Sequence, residues 1–476
     1  MNGSERCRSA IISASESRSY VTSTPDGLPG RQKYWAMATI MLASATATLD
    51  TAIANTALPT VAIDLRASAE ASIWVINAYQ LTMVASLLPL AAYGDTIGHR
   101  RVYIAGLALF TLASLACGLS WSLPTLIAAR TLQGLGAAGI LSVSSALIRF
   151  IYPHSQLGRA QGLNALTVAV FFAVGPTVAS GVLSMATWPW LFLINIPIGL
   201  FAIGLALRTL PDSANVHGSR HFDTVAAVLL GGMFALFILG LGEASHDAHP
   251  VRVLGEWVAS LVCCGLLLYR QRAHPAPLLP VDLLRRPLFA LSVVTSICSY
   301  AAQSLAFVSL PFLFETVLGR SQVQTGFLLT PWPVVVAIMA PIAGRLSERR
   351  SVALLGGVGL LVLCAGMALL GLLPRQASVA DITWRLAICG AGFGFFQSPN
   401  LKALIASAPR ERSGAASGII PTARLLGQAL GAALVAACFT VMGEAGAITA
   451  LWIGSAFAGA ASLVSFLRMY SSQEPA

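Results

Sequence analysis

The sequence predicts an all-α integral membrane protein of fourteen transmembrane helices, arranged as two six-helix bundles with an inserted helix pair. Three observations carry that expectation. First, 56% of the 476 residues are hydrophobic and only 10% are charged, against about 25% in ordinary soluble domains. That is too few ionisable side chains to solvate a soluble protein of this length. Second, the chain divides into apolar runs close to the roughly 20 residues a helix needs to cross a bilayer. Third, 29 Lys and Arg residues outnumber 19 Asp and Glu and cluster in alternate short segments between those runs, the pattern that sets membrane orientation.

Taken in order, residues 1–33 are Ser- and Arg-rich, lack the apolar core of a signal peptide, and are expected to form a flexible cytoplasmic tail. Six runs near 34–58, 73–93, 102–120, 124–149, 158–183 and 190–208 predict a first bundle over 34–208. The interval 209–287 holds two further runs, near 223–242 and 254–270, between polar breaks, which predicts an inserted pair with cytoplasmic linkers. Runs near 288–314, 325–344, 352–373, 383–406, 413–440 and 446–468 predict a second bundle over 288–468, followed by a short cytoplasmic tail, 469–476. With both termini cytoplasmic, only Arg66, Arg252, Arg320, Arg375 and Arg385 fall in outside loops, so this orientation satisfies the positive-inside rule. The expected location is the plasma (cytoplasmic) membrane, the inner membrane where a cell has two.

The two outer blocks echo each other. Gly94-Asp95 and Gly98-His99-Arg100-Arg101 follow the second run, and Gly344-Arg345-Leu346-Ser347-Glu348-Arg349 follows its counterpart. Gly158-Arg159-Ala160-Gln161-Gly162 and Gly414-Ala415-Ala416-Ser417-Gly418 open the fifth run of each block. Repeated bundles suit a transporter, whose halves rock about a central site.

Ionisable groups inside apolar runs cost about 2.5–3.5 kcal/mol on insertion scales and mark function by default. Asp50 is the carboxylate that falls clearly within a run, with Thr46 one turn earlier on the same face. Such an acid either exchanges protons and meets a cationic substrate, or packs against neighbouring hydroxyls. Arg130 shares a helical face with Gln133 and Gly134, so it either tunes a nearby acid, Asp50 being the candidate, or snorkels to a membrane edge. Arg424 admits a pathway role or a structural pairing. The loop from Gly94 to Arg101, with Asp95, Gly98, Arg100 and Arg101, suits a conformational latch or a plain topology signal. Gly175-Pro176 reads as a kink or close-packing device. Glu315 is a possible secondary substrate acid or a solvated helix cap. Tyr79, Phe171, Phe172, Trp332 and Phe396 are candidate cavity aromatics that equally suit ordinary packing.

Several chemistries are excluded. The only lysines, Lys33 and Lys402, follow Gln32 and Leu401, so no Gly-Lys pair exists to build a phosphate-binding loop. HExxH is absent, the eight cysteines contain no CxxC pair, and all seven histidines are expected in loops. The chain is therefore expected to be no enzyme, to hold no metal or cofactor, and to draw on an ion gradient.

These motifs together resemble the major facilitator superfamily, specifically its fourteen-helix drug:proton antiporters of the multidrug efflux type. Leu49-Asp50 through Asn55-Thr56-Ala57-Leu58-Pro59 is similar to that family's first-helix motif, with Ala52 in place of a usual threonine. Gly94–Arg101 is similar to the loop between helices two and three, with Thr96 where arginine is usual. Arg130-Thr131-Leu132-Gln133-Gly134-Leu135-Gly136-Ala137-Ala138 is similar to the fourth-helix motif. Gly175-Pro176 falls at the antiporter motif, with Ala179-Ser180 replacing Gly-Gly, and Trp190 to Gly199 is similar to the sixth-helix entry. The resemblance implies a major-facilitator-type fold, Asp50 in coupling or cation recognition, Arg130 in proton translocation, and Asp95 with Arg100 and Arg101 as the latch.

The combined expectation is export of amphipathic, cationic drugs or toxic compounds by proton antiport through alternating access. The alternatives are an exporter dedicated to one endogenous metabolite or antibiotic, and a membrane sensor or scaffold without transport. Expected partners are a small lipophilic cation, protons and the bilayer, with no nucleic acid and a monomeric chain.

Overall fold

The computed structural model describes residues 27–153, 156–212, 223–243, 250–271, 281–407 and 413–471. Most of both expected tails, and most of the linkers around the inserted pair, lie outside these residues. Every regular element among the described residues is helical, as a bilayer requires of apolar runs that must satisfy their own backbone hydrogen bonds. In chain order they are α1 (Gly30–Asp64), α2 (Ala69–Ile97, with a break at Ile73), α3 (His99–Gly118), α4 (Leu123–Ile151), α5 (Leu157–Met185), α6 (Trp190–Thr209), α7 (Thr224–Glu243) and α8 (Pro250–Gln271). There follow α9 (Pro287–Val317), α10 (Gln322–Leu346), α11 (Val352–Gly371), α12 (Val379–Ser407), α13 (Ser413–Met442) and α14 (Gly446–Ser471). Among the described residues, twelve stretches are long and apolar enough to cross a membrane; one of them, Gly418–Met469, takes in parts of both α13 and α14, and Thr224–Gly240 is a shorter apolar helix.

Local chemistry sets the ends. Gly98 adopts φ +101° between α2 and α3, a conformation that side-chain-bearing residues rarely adopt, and so reverses the chain in one residue. The Ser321 hydroxyl accepts from the Gln324 amide while the Gln324 side chain accepts from the Ser321 amide, both at 3.2 Å, a reciprocal cap that starts α10. Two expectations are corrected at helix ends. α1 begins at Gly30, inside the segment assigned to the tail. His99 is the first residue of α3 rather than a loop residue; the other six histidines lie outside the described residues.

α1 to α6 pack among themselves, chiefly through α3–α4, α2–α4 and α1–α5, and α9 to α14 do so through α11–α12, α11–α14, α10–α12 and α9–α13. The two halves repeat one contact scheme. A Cβ on Gly134 of α4 would lie 2.4 Å from the Tyr79 carbonyl oxygen of α2, and one on Gly390 of α12 would lie 2.3 Å from the Trp332 carbonyl of α10. Likewise Gly136 meets the Gly106 carbonyl at 2.8 Å and Gly392 meets the Gly359 carbonyl at 2.6 Å. Small residues let these backbones approach, and the matched spacing in both halves extends the internal echo seen in the loops. Gly134→Val is expected to destabilise the protein by about 1–3 kcal/mol or more through overpacking. Thermal unfolding in lipid nanodiscs measures it, and an unchanged melting temperature would refute the contact.

The cores are divided by depth. On the side where α1 ends, one apolar cluster joins both halves, from Ile53, Leu58 and Val61 of α1 to Leu310, Phe314 and Leu329 of α9 and α10. On the side where α1 begins, the clusters are largely separate, one around Ile40, Tyr103 and Leu147, which takes Leu425 of α13 from the second half, and another around Phe289, Leu404 and Ile419. α7 packs on α8 and also on α2 and α13, beside the seam between the halves.

Candidate functional site

Asp50 lies past the middle of α1 and is 1% exposed, as is Arg130 of α4. Arg130 donates from Nη1 to Asp50 Oδ2 at 2.5 Å and to Gln133 Oε1 at 2.6 Å, and from Nε to the Val75 carbonyl at 3.1 Å. The other carboxylate oxygen, Asp50 Oδ1, accepts from Gln133 Nε2 at 2.8 Å and Asn195 Nδ2 at 2.9 Å. Gln133 Nε2 also lies 2.9 Å from Ser114 Oγ. The Arg130 guanidinium carbon sits 4.1 Å from the centre of the Tyr79 ring and 5.6 Å from that of Phe192. Four helices, α1, α3, α4 and α6, thus converge on one buried ion pair, with α2 contributing the Val75 carbonyl and the Tyr79 face. Their close approach depends on Gly134 one turn beyond Arg130.

The structure brings Asp50, Arg130 and Gln133 together, a contact the sequence left open. It excludes the snorkelling alternative for Arg130, which is fully enclosed. Thr46 is not a partner, since its hydroxyl bonds the Leu42 carbonyl of its own helix at 2.8 Å. Nor is Asp50 an open acid awaiting a cation, because Arg130 already balances its charge. Asn195 and Ser114 were not assigned roles from the sequence; a polar residue within an otherwise apolar sixth run is the signal that would have found Asn195. The Asp50–Arg130 pair has no counterpart at the matching place in the second half. Leu386 stands four residues before Gly390 as Arg130 stands four before Gly134, and it is fully buried.

The loop residues distribute differently from expectation. Asp95 meets His99 at 3.1 Å rather than an arginine. Arg100 instead pairs closely with Asp212 and donates to the Leu207 carbonyl at 2.5 Å, near the end of α6, while Arg101 reaches only the Ile97 carbonyl at 3.5 Å. The latch residues therefore tie α3 to the end of α6. Asp95 and the arginines take separate partners because residues 97–99 turn the helix start so that His99, four residues after Asp95, lies over it.

Gly175 and Pro176 lie where α5 meets two neighbours. A Cβ on Gly175 would sit 2.3 Å from Ala52 Cβ of α1, and one on Gly326 of α10 would sit 2.4 Å from the Pro176 carbonyl. Thr177 and Thr330 share a hydrogen bond at 3.0 Å across the halves. Glu315 occupies a π-helical turn, Leu313–Val317, at the end of α9. It is half-buried, with Oε1 enclosed and unpaired, and no hydrogen bond or ion pair among the described residues joins it to Asp50. Of the expected cavity aromatics, Tyr79 stacks on Arg130, and Trp332 and Phe396 are buried. Phe172 and Trp332 flank Phe307 with ring centroids at 5.2 and 5.3 Å, a row that crosses between the halves, whereas Phe171 is 37% exposed.

Membrane-length apolar helices in two similarly packed halves, with an ion pair buried in the first, define a multi-pass membrane protein. The chain belongs to the Major Facilitator Superfamily, whose sequence pattern matches residues 40–432. It is 50% identical over 444 residues to the uncharacterized transporter YebQ of Escherichia coli K12, covering 93% of this chain and 97% of that protein. It is 28% identical to the riboflavin transporter RibZ of Clostridioides difficile, over 86% of this chain and 89% of that protein. It is 30% identical to the multidrug resistance protein Stp of Mycobacterium tuberculosis, over 86% of this chain and 74% of that protein.

Proposed function

We propose that this protein is a proton-driven exporter of amphipathic small molecules, built on fourteen crossings with α7 and α8 as the inserted pair and both termini cytoplasmic. The count is supported by the two helices within Gly418–Met469 and by the 20-residue length of α7. The observation that carries the proposal is the Asp50–Arg130 pair with its amide ligands. Protonating Asp50 replaces an anion by a neutral acid and leaves the Arg130 charge without its counterion. Leaving one member of a buried pair uncompensated costs about 3–5 kcal/mol, enough, once the halves have rocked outward, to loosen α1 from α4 and α6 and favour the return. The joined core at one end and divided cores at the other support a state open toward the cytoplasm, with Asp50 ionised. Substrate enters from that side; protonation follows from the opposite side once the halves rock, and Asp50 returns to Arg130 as its proton leaves inward. The likeness to Stp supports drugs as substrates, and the likeness to RibZ favours a second reading, export of one metabolite.

The test uses vesicles holding the purified protein and a panel of fluorescent amphipathic dyes under an imposed pH gradient. Concentrative dye movement that a protonophore abolishes is the expected result, and movement indifferent to the gradient rejects proton coupling. A second expected outcome concerns the switch. Gly326→Val is expected to force α10 away from α5 at the end where the halves are joined, shifting the protein toward its other state. With the native cysteines replaced, Thr177→Cys would then react faster with a water-soluble maleimide, and an unchanged rate would refute that contact as a gate.

A further inference from the structure

Arg424 is a charge within the spans that the Asp50 network does not use; Arg468 of α14, which is buried, is held by Ser292, Asn400 and Ser465. Arg424 lies in the middle third of α13, a helix wedged between the halves: Ala423 joins the core of the second half and Leu425 that of the first. Gly427, one turn away, abuts the Ile297 carbonyl and Tyr300 of α9. α13 packs on both α9 and α2, so Arg424 stands where the two halves meet. Tyr79 of α2 also stacks on Arg130.

Arg424 is only partly enclosed, yet its Nε is buried without an acceptor. None of the ion pairs among the described residues includes it. Trp332 Nε1, in the middle third of α10, is a second buried donor without an acceptor. A cation at mid-membrane depth is expensive unless something neutralises it, and Asp50 is already committed to Arg130. The partner that the chain does not supply is left for the cargo to supply.

We infer that Arg424 is the recognition point for a negatively charged group, a carboxylate, sulfonate or phosphate, on an amphipathic substrate bound between α2, α9 and α13. Tyr300, half-buried on α9 with the buried Phe393 packed edge-on against it at 5.4 Å, is the aromatic side chain on α9 that would meet a planar body attached to that group. The inference rests on the transporter reading but reverses the substrate charge expected from the sequence. It also gives a route for coupling, since an anion at Arg424 would alter the field across Tyr79 at the Asp50–Arg130 pair.

The test is equilibrium binding to the full chain in lipid nanodiscs without any gradient, read by fluorescence polarisation. Two dyes share a xanthene ring and differ in charge: anionic fluorescein and a cationic rhodamine. Fluorescein is expected to bind saturably and more tightly than rhodamine. Arg424→Gln is expected to weaken fluorescein by at least about tenfold, as loss of a charge-assisted hydrogen bond implies, and to leave rhodamine unweakened. Arg424→Lys, which keeps the charge, is expected to restore most of the affinity. Absent fluorescein binding, tighter rhodamine binding, or fluorescein binding indifferent to Arg424→Gln each overturns the inference. The wild-type preference between dyes decides the matter even if Arg424→Gln fails to fold. Because no pH gradient enters the measurement, failure here leaves proton coupling standing, and failure of coupling leaves this result standing.

Discussion

Arg130→Met is expected to cost about 3–5 kcal/mol of stability, because it strands the Asp50 carboxylate in a site with 1% exposure and no other cation. Three interactions go at once: the 2.5 Å ion pair, the Gln133 contact and the bond to the Val75 carbonyl. The remaining donors, Gln133 and Asn195, solvate Asp50 Oδ1 but carry no charge. Combining Arg130→Met with Asp50→Asn removes the stranded charge and is expected to recover much of the loss. Unfolding in nanodiscs across all four variants measures the coupling. A double variant no more stable than Arg130→Met would show that packing, rather than charge pairing, holds this layer. Arg130→Lys is expected to recover only part, since an ammonium cannot bond Val75 along one edge while serving Asp50 and Gln133 from another.

Asp50→Asn has the larger expected effect on transport. The amide keeps an oxygen for Gln133 and Asn195 but neither binds nor releases a proton at neutral pH. Each proton moving down 100 mV supplies about 2.3 kcal/mol, which corresponds to about fiftyfold accumulation of cargo per proton. The variant is expected to lose that concentrative part while still exchanging substrate down its own gradient. Dye accumulation in vesicles under an imposed pH gradient, paired with equilibrium exchange in its absence, separates the two. Uphill accumulation by Asp50→Asn equal to wild type would remove Asp50 from the coupling step.

The candidate site was partly legible. A carboxylate in an apolar run and an arginine sharing a face with Gln133 announce themselves by their cost in hydrocarbon, so Asp50, Arg130 and Gln133 stood out before any geometry was known. Asn195 did not, because a neutral amide costs little enough to pass for a packing residue. The latch residues were legible, but their partners were not. Asp95, Arg100 and Arg101 are close in sequence, but the φ of Gly98 sets which way each points, and Arg100 finds Asp212 near the end of α6 instead. The internal repeat was visible in two loop motifs, yet its firmest expression, Gly134 with Gly390 and Gly136 with Gly392, lay in helix contacts that no loop reveals.

The amino-acid sequence alone determined that this is a helical membrane protein with basic residues biased to one side. Hydropathy and charge act through windows of about 20 residues, so each can be summed without knowing what packs where. Only the tertiary structure decided the partners. Asp50 meets Arg130 across 80 residues and Asn195 across 145, and Arg424 meets no acid among the described residues. Such outcomes depend on the rotation and depth of each helix against its neighbours, which glycine contacts set by fractions of an ångström and which a single run of residues does not encode.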